Sequence, residues 1–468
     1  MSSSGFRQLI HSAFFLAIFV ATGVPLYAQN AVDWRKDLEF LRDEVPKHHK
    51  NAFHSISQRQ FEKQIDTLEA RLAQVSRSEV ILDVARIVAS IGDGHTQMFL
   101  DADEKVGFHQ LPVRFYRFRE GIYVIAAEEQ NRWAIGKRVS KIGNVAIMEA
   151  ITRVAPVVSR DNEMTIRDVL PNDLCLAEVL YYLNLSNDGS SAAFEVDVDG
   201  EPRILRVSVP ADNSKVTLTR WSQAISPSPL WMSQPGAKYW YRLLPEQSML
   251  YVQFNEVADD EQQSIQSFFE QVFTVGRKER LQNFVLDIRL NNGGNNKLLE
   301  PILRGIKTAQ FNRKGHLFVI TGRLTFSAAM NLASRLEHET HATFVGEPTG
   351  SRPNHYGEAV TLTLPASGIT VRVSTRYWQD SKPNDKRLWI APEMPAPPSA
   401  AAFSRGIDPA MDSILREFGH HHHSGSSDIA SQTHGRIVAL PDIGSLCSLT
   451  LPASDLPRQS HRQLPGGG

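Results

Sequence analysis

Apolar positions along the chain change their spacing twice. From Asp33 to about Leu100 they recur every three to four residues, in "WRKDLEFLRDEV", "RQFEKQIDTLEARLAQV" and "SEVILDVARIVASI", the period of helices with one buried face. The third helix is predicted to stop at "GDGH", where Gly92 and Gly94 break it and leave His95 on the loop beyond. From about Phe108 to Pro210 the period falls to two, in "LPVRFYRF", "GIYVIAA", "KRVSKIG", "AAFEVDVDG" and "PRILRVSVP". These read as short strands separated by turns, with one helix-like segment, "AIMEAITRVA", among them.

After the polar, proline-containing connector "SPSPLWMSQPGAK" (Ser226–Lys238), strand and helix patterns alternate. "SMLYVQFNEV" precedes "EQQSIQSFFEQVF", "NFVLDIRL" precedes "NKLLEPILRGI", and "HLFVI" precedes "SAAMNLASRLE"; "ATFVGEP" and "TVRVSTRYW" come after these. Apolar strands of five or six residues between amphipathic helices predict an α/β fold with a largely parallel sheet covered on both faces. The expected division is a leader over residues 1–28, a helical domain over 29–105, a β-rich module with its connector over 106–245, an α/β core over 246–418 and a disordered tail over 419–468. Within the module, "GKRVSKIGNVAIMEAI" has the strand, turn and helix order of PDZ-like domains, without their glycine-rich carboxylate-binding loop.

Composition adds exclusions. Across 468 residues, 50 Lys and Arg nearly balance 51 Asp and Glu, so no overall field recruits nucleic acid or an anionic membrane. The segment "AFFLAIFVATGV" comes after Arg7 and His11 and precedes Ala28 in "PLYAQN", the pattern of a cleaved export signal. It is shorter than the ~20 apolar residues that a spanning helix needs, so no stable membrane insertion is expected after cleavage. The mature protein is then expected in a periplasm or outside the cell. With Cys175 and Cys447 as the only cysteines, neither a disulfide framework nor a thiolate metal site is expected. The four histidines His420–His423 read as a solvated run in the tail, and no metal is assigned to them.

Three places could carry chemistry. Ser327 lies between the apolar "HLFVI" and the helical "AAMNLASRLE", so its own N–H and that of Ala328 stand at a helix start, where an anion is favoured. The plain alternative is a helix-capping serine. "LDIRLNNGGNN" ends a strand with Gly293 and Gly294, whose bare backbone could approach a ligand or simply turn the chain. Of the 16 histidines, His95 sits on a tight glycine-flanked turn and is the candidate base.

Together "GDGHT", "VLDIRLNNGG", "TFSAAMNLA" and "VGEPTGSRPN" resemble the tail-specific, C-terminal processing peptidase family, in particular its tricorn-core-like branch. The resemblance spans roughly Asp33 to Phe418. It implies a Clp/crotonase-like α/β core and peptide hydrolysis by a serine nucleophile. The lysine-dependent branch of that family draws its base from a "GxxTxGK" pattern; here the stretch is "GEPTGSR", with Arg352 in the lysine position, 25 residues after Ser327 (352 − 327). An arginine does not release its proton at working pH, which excludes a Ser–Lys dyad there. The other branch uses a histidine, a serine before it and an acid after the nucleophile. His95 matches the histidine, Gly94 occupies the place of the helping serine, and Asp385 matches the acid by position, with Glu393 and Glu358 as rivals.

The expected function is therefore that of an exported serine peptidase, with Ser327 attacking, His95 as base and the N–H groups of Ala328 and Gly293 or Gly294 holding the oxyanion. A free imidazole near pKa ~6.5 would make activity rise from acid to neutral pH. Substrates are expected to be peptides or unfolded proteins, bound as an extended strand. No metal or cofactor is expected, since neither a Walker loop nor G-x-G-x-x-G occurs. A homo-oligomer is left open. Competing readings are a non-catalytic binder of peptides or hydrophobic ligands on the same fold, and a serine esterase or amidase.

Overall fold

The computed structural model describes residues 32–212 and 215–423. The expected leader, Cys447 and the tail beyond His423 lie outside the described residues. The front of the chain forms three helices, α1 (Trp34–His48), α2 (Gln58–Glu69) and α3 (Arg77–Ala89). Capping boxes start two of them: Ser57 with Gln60 at α2, and Ser76 with Glu79 at α3. As predicted, α3 ends just before Gly92, which takes φ +87°.

The β-rich module comes next, with β1 (Val113–Phe118), β2 (Gly121–Glu128), β3 (Arg138–Ile142), β4 (Val145–Ala146), β5 (Ser191–Val198), β6 (Glu201–Ser208) and β7 (Leu218–Arg220) in one antiparallel sheet. The predicted helix is α4 (Ile147–Val154); α5 (Glu163–Asp173) and α6 (Ala177–Tyr182) come in addition. Front helices and module share one hydrophobic core, which runs from Leu38 through Val88 and Phe194 to Val207. The unit expected over 29–105 is thus packed as one body with the β-rich module.

The second half holds a six-stranded sheet of order β15-β12-β11-β10-β9-β8, built from β8 (Tyr239–Leu244), β9 (Met249–Phe254), β10 (Asn283–Asp287), β11 (Leu317–Thr321), β12 (Thr343–Gly346) and β15 (Met394–Pro395). All pairings from β9 to β15 are parallel, and β8 is an antiparallel edge that begins the sheet at Tyr239, before the expected boundary. Side chains alternate between the two faces. Leu250, Val252, Leu286 and Val319 join one core with the helices α7 (Ile265–Lys278), α8 (Glu300–Thr308) and α9 (Ala328–Glu339), while Tyr251, Val285 and Phe318 join another with Met411 and Ile414. Those two belong to α11 (Pro409–His423), which is preceded by the short α10 (Ala400–Phe403). The helix therefore includes residues 419–423, which the sequence pattern assigned to the tail.

One strand departs from expectation. "TVRVSTRYW" does not enter the parallel sheet; it forms β14 (Thr370–Gln379), paired with β13 (Asn354–Thr363) as a separate antiparallel hairpin. Its polar alternation suits a two-faced hairpin and not a strand buried on both sides. Leu364, Ile369, Val371 and Val373 at the tip-side half of the hairpin enter the core of the front body. Gln97, two residues after His95, exchanges backbone bonds with Arg372 of β14, and Ser374 bonds to Thr96.

Candidate active site

Strands β10 and β11 end at the same edge of the parallel sheet, and the loops leaving them carry Gly293 and Ser327. Phe326 N–H donates to the Asn291 carbonyl at 3.1 Å, tying the two loops together. Ser327 sits at the N-cap of α9, yet its side chain makes no capping hydrogen bond. Its backbone stands at φ +52°, ψ −125°, a region that costs a side-chain-bearing residue roughly 1–3 kcal/mol. The capping alternative therefore loses its physical basis.

Gly293 backs onto this residue. At φ +108°, a Cβ added there would lie 2.6 Å from Ser327 Cβ and 2.9 Å from Ala328 N, so only glycine leaves this space open. The Ala328 N–H, first of α9, has no acceptor among the described residues, nor has that of Gly294. The Gly293 N–H is already used, donating to Asn291 Oδ1 at 2.9 Å. Gly294 is pressed against the Val257 carbonyl and could carry no Cβ.

His95 approaches from the front body. Its ring lies flat on Phe326, with centroids 4.4 Å apart at 23°, and faces the ring of His355 on β13 at 5.7 Å and 13°. Its Nδ1 is buried and without a partner. Burial first, and then the neighbouring His355, push its pKa down to about 3, although the Asp93 charge and the Tyr356 backbone favour the proton. His355 is a residue that the sequence reading did not single out. Its Nδ1 bonds to the Arg352 carbonyl at 3.1 Å, so the ring proton is placed there and the buried Nε2 is left with no donor. Burial lowers its pKa to about 4. No hydrogen bond joins Ser327 to either ring in this state.

Three carboxylates surround the pair. Asp93 accepts from the N–H groups of His95 and Thr96, from Ser374 and from His49 Nε2 at 2.8 Å. Burial opposes its charge, but the His49 and His54 rings outweigh this and hold its pKa well below the usual range. Asp161, from the module, accepts from Gly94 N–H at 2.9 Å and from the Ser351 hydroxyl; burial and the Asp93 charge push it up to about 6. Asp380 bonds to Asn331, one turn into α9 from Ser327, and its charge favours the protonated form of His355. The sequence reading did not single out Asp161; its neighbour Asn162 caps α5.

The expected acid, Asp385, lies in a surface network with Arg387, Ser381 and, through Arg387, Glu337. Glu393 pairs with Lys314, and the exposed Glu358 has φ +55°. None of the three bonds to His95 or His355.

His49, His54 and Asp93 have donor atoms within 4.8 Å of one another, a spacing that could suit a metal. Asn51 N–H, however, donates to His49 Nδ1 at 2.9 Å. The proton of that ring thus sits on Nε2 and is given to Asp93, whereas a metal bound at Nε2 would need it on Nδ1, against another donor. The set fits a proton network better than an ion.

Against known proteins, the architecture decides more than the sequence. It resembles the fold of mature CPAF. The solved complex of mature CPAF with lactacystin aligns over 84% of this chain and 98% of its own, with TM-score 0.59 at 10% identity; mature CPAF alone gives 0.57 over the same shares, also at 10% identity. The photosystem II D1 C-terminal processing protease aligns over 81% of this chain and 99% of its own, at TM-score 0.40 and 14% identity. The likeness to CPAF is one of fold. No family model matches the chain, and no curated protein matches it in sequence.

Proposed function

We propose that the chain is a serine peptidase working by acyl transfer, as the motif resemblance implies. The observation that carries this is the strained, uncapped Ser327 between a free Ala328 N–H and a glycine that keeps the adjoining space empty. In the proposed reaction Ser327 Oγ attacks the peptide carbonyl carbon, and His95 takes the hydroxyl proton. The oxyanion is held by Ala328 N–H with that of Gly294, and the loss of one such donor typically costs ~2.7–4 kcal/mol in the transition state. The tetrahedral adduct expels the amine, which leaves with the proton from His95; water then releases the acyl group by the same steps. His95 must close on Ser327 when substrate binds, a tightening common in apo sites. Substrates of this class are peptides or unfolded proteins, and the expected leader makes the enzyme an exported one.

The test is covalent labelling of the purified protein by a fluorophosphonate, with lactacystin, the compound in the CPAF complex, as a competing probe. Wild type is expected to label at Ser327, Ser327→Ala not at all, and His95→Gln at least 100-fold more slowly. Labelling of Ser327→Ala at the wild-type rate, or a folded wild type that does not label, refutes the assignment.

A further inference from the structure

A cavity of about 320 Å³ lies between the β-rich module and the carboxyl edge of the parallel sheet. Neither Ser327 nor His95 lines it, although Leu290 and Leu324, on the loops that carry Gly293 and Ser327, form part of its wall. Cavities at such seams, and at this edge of parallel sheets, are where ligands commonly lodge.

Its wall has an aromatic side and a polar side. Phe118, Trp221 and Phe403 lie together on it, with ring centroids 5.8 Å apart for Phe118 and Trp221, 5.5 Å for Phe118 and Phe403, and 5.2 Å for Trp221 and Phe403. Facing groups on the sheet have spent their charge: Arg289 is held by Asp287 and Asp408, and Arg323 by Glu347. Acidic and basic side chains around the wall are close to balanced, so nothing selects for an ion.

Two consecutive residues of α5 on that wall keep unspent capacity. The buried Arg167 Nε–H has no hydrogen-bond acceptor, with Glu163 at 3.8 Å the ion-pair neighbour. The half-buried Asp168 carboxyl lies in the field of the Arg323 cation but forms no hydrogen bond or ion pair with it or with another described residue. Arg167 and Asp168 are consecutive on α5 and no hydrogen bond joins them; a donor and an acceptor on one wall complement the C=O and N–H of an amide.

We infer that this cavity is a binding site for a neutral, amide-bearing ligand with a bulky aromatic body: its ring packs against Trp221 and Phe118 while its amide bridges Arg167 and Asp168. The ligand's source is either one residue of a peptide or a free small aromatic amide, since both present the same chemistry.

Binding to the full-length protein is measured by calorimetry, with N-acetylphenylalanine amide as the probe. N-acetylglycine amide, which lacks the ring, and toluene, which lacks the amide, are each expected to bind at least tenfold more weakly. Asp168→Leu and Trp221→Ala are each expected to weaken the probe at least tenfold, with Arg167→Met guarding against a misfolded single variant. A capped hexapeptide with one central Phe separates the sources: tighter binding than the single residue indicates a peptide, weaker binding a small molecule. Ser327→Ala is expected to bind the probe as wild type does, so this site stands or falls apart from the acyl-transfer reading. Absence of probe binding, or binding that is unchanged in both Asp168→Leu and Trp221→Ala, overturns the inference.

Discussion

The imidazole of His95 rests on the phenyl ring of Phe326, 4.4 Å between centroids. Through this one contact, a histidine from the front body is set beside the residue that precedes Ser327. Gly94 makes the contact possible, since a Cβ there would come within 2.8 Å of the Phe326 ring. In the related motif a serine stands at that place. Gly94→Ser is therefore expected to slow fluorophosphonate labelling about tenfold, because the new Cβ displaces the ring; a faster rate would show that the missing hydroxyl mattered more than the packing.

Backbone strain at Ser327 can be weighed directly. Since no capping bond is lost, Ser327→Ala should change unfolding free energy by less than about 0.5 kcal/mol, whereas a capping serine would cost ~1. Ser327→Gly, relieved at φ +52°, should be more stable than the alanine variant by about 1 kcal/mol. Urea melts of the three proteins decide it.

For the His95 imidazole, pushed down to about 3 by burial, the proton is already absent at pH 5. The rise near pH ~6.5 expected of a free histidine should therefore be missing from the labelling profile. A titration centred near 6.5 that disappears in His95→Gln would show that the ring becomes solvated in the reactive state.

Acid stability carries a compensation. His95 and His355, lowered to about 3 and about 4, bind fewer protons folded than unfolded, so each makes stability fall as pH drops below the unfolded value of ~6.5. Asp161 and Asp168, both raised to about 6, bind more protons folded than unfolded between ~3.8 and 6, and each acts in the opposite sense. Between pH 4 and 6 the four nearly cancel. Asp161→Asn removes one opposing group, so its stability should fall relative to wild type by up to ~1.4 kcal/mol per pH unit on acidification. His355→Gln should shift the balance the other way; parallel curves for all three would sink the argument.

Arg323 joins the two halves of the molecule. Its guanidinium lies on Tyr116, pairs with Glu347 at 2.7 Å and donates to the carbonyls of Arg117 and Arg167. Glu347→Gln leaves that buried cation short of its counter-charge, and a loss of about 3–5 kcal/mol in chemical unfolding is expected. A loss below 1 kcal/mol would mean that water reaches the pair.

The periodic signals carried well from sequence to structure. Helical spacing located α1 to α3, and runs such as "NFVLD" and "LFVIT" became parallel strands buried on both faces. The hidden part was set by distant pairing. The polar alternation of β14 sets it apart from strands buried on both faces, but it does not say that half of the hairpin enters the core of the front body. The candidate site divides in the same way. Ser327, Gly293 and Gly294 were legible because they punctuate local turns, whereas His355 and Asp161 gain their surroundings only when the hairpin and the module close over His95. Asp385, chosen by motif position, stands instead in an arginine network that no local pattern announces.

The tip-side half of the β13–β14 hairpin supplies Leu364, Ile369, Val371 and Val373 to a core otherwise made before residue 210. During synthesis the front half thus emerges with part of its interior still to be translated, and it has to wait for the later segment before it can close. His95, whose loop is tied to that same hairpin by Gln97 with Arg372 and by Thr96 with Ser374, would reach its place last. Such an order of assembly would keep His95 away from Ser327 until the hairpin is made, and a chain cut after residue 350 should leave the front half open to protease even though all its own strands and helices are present.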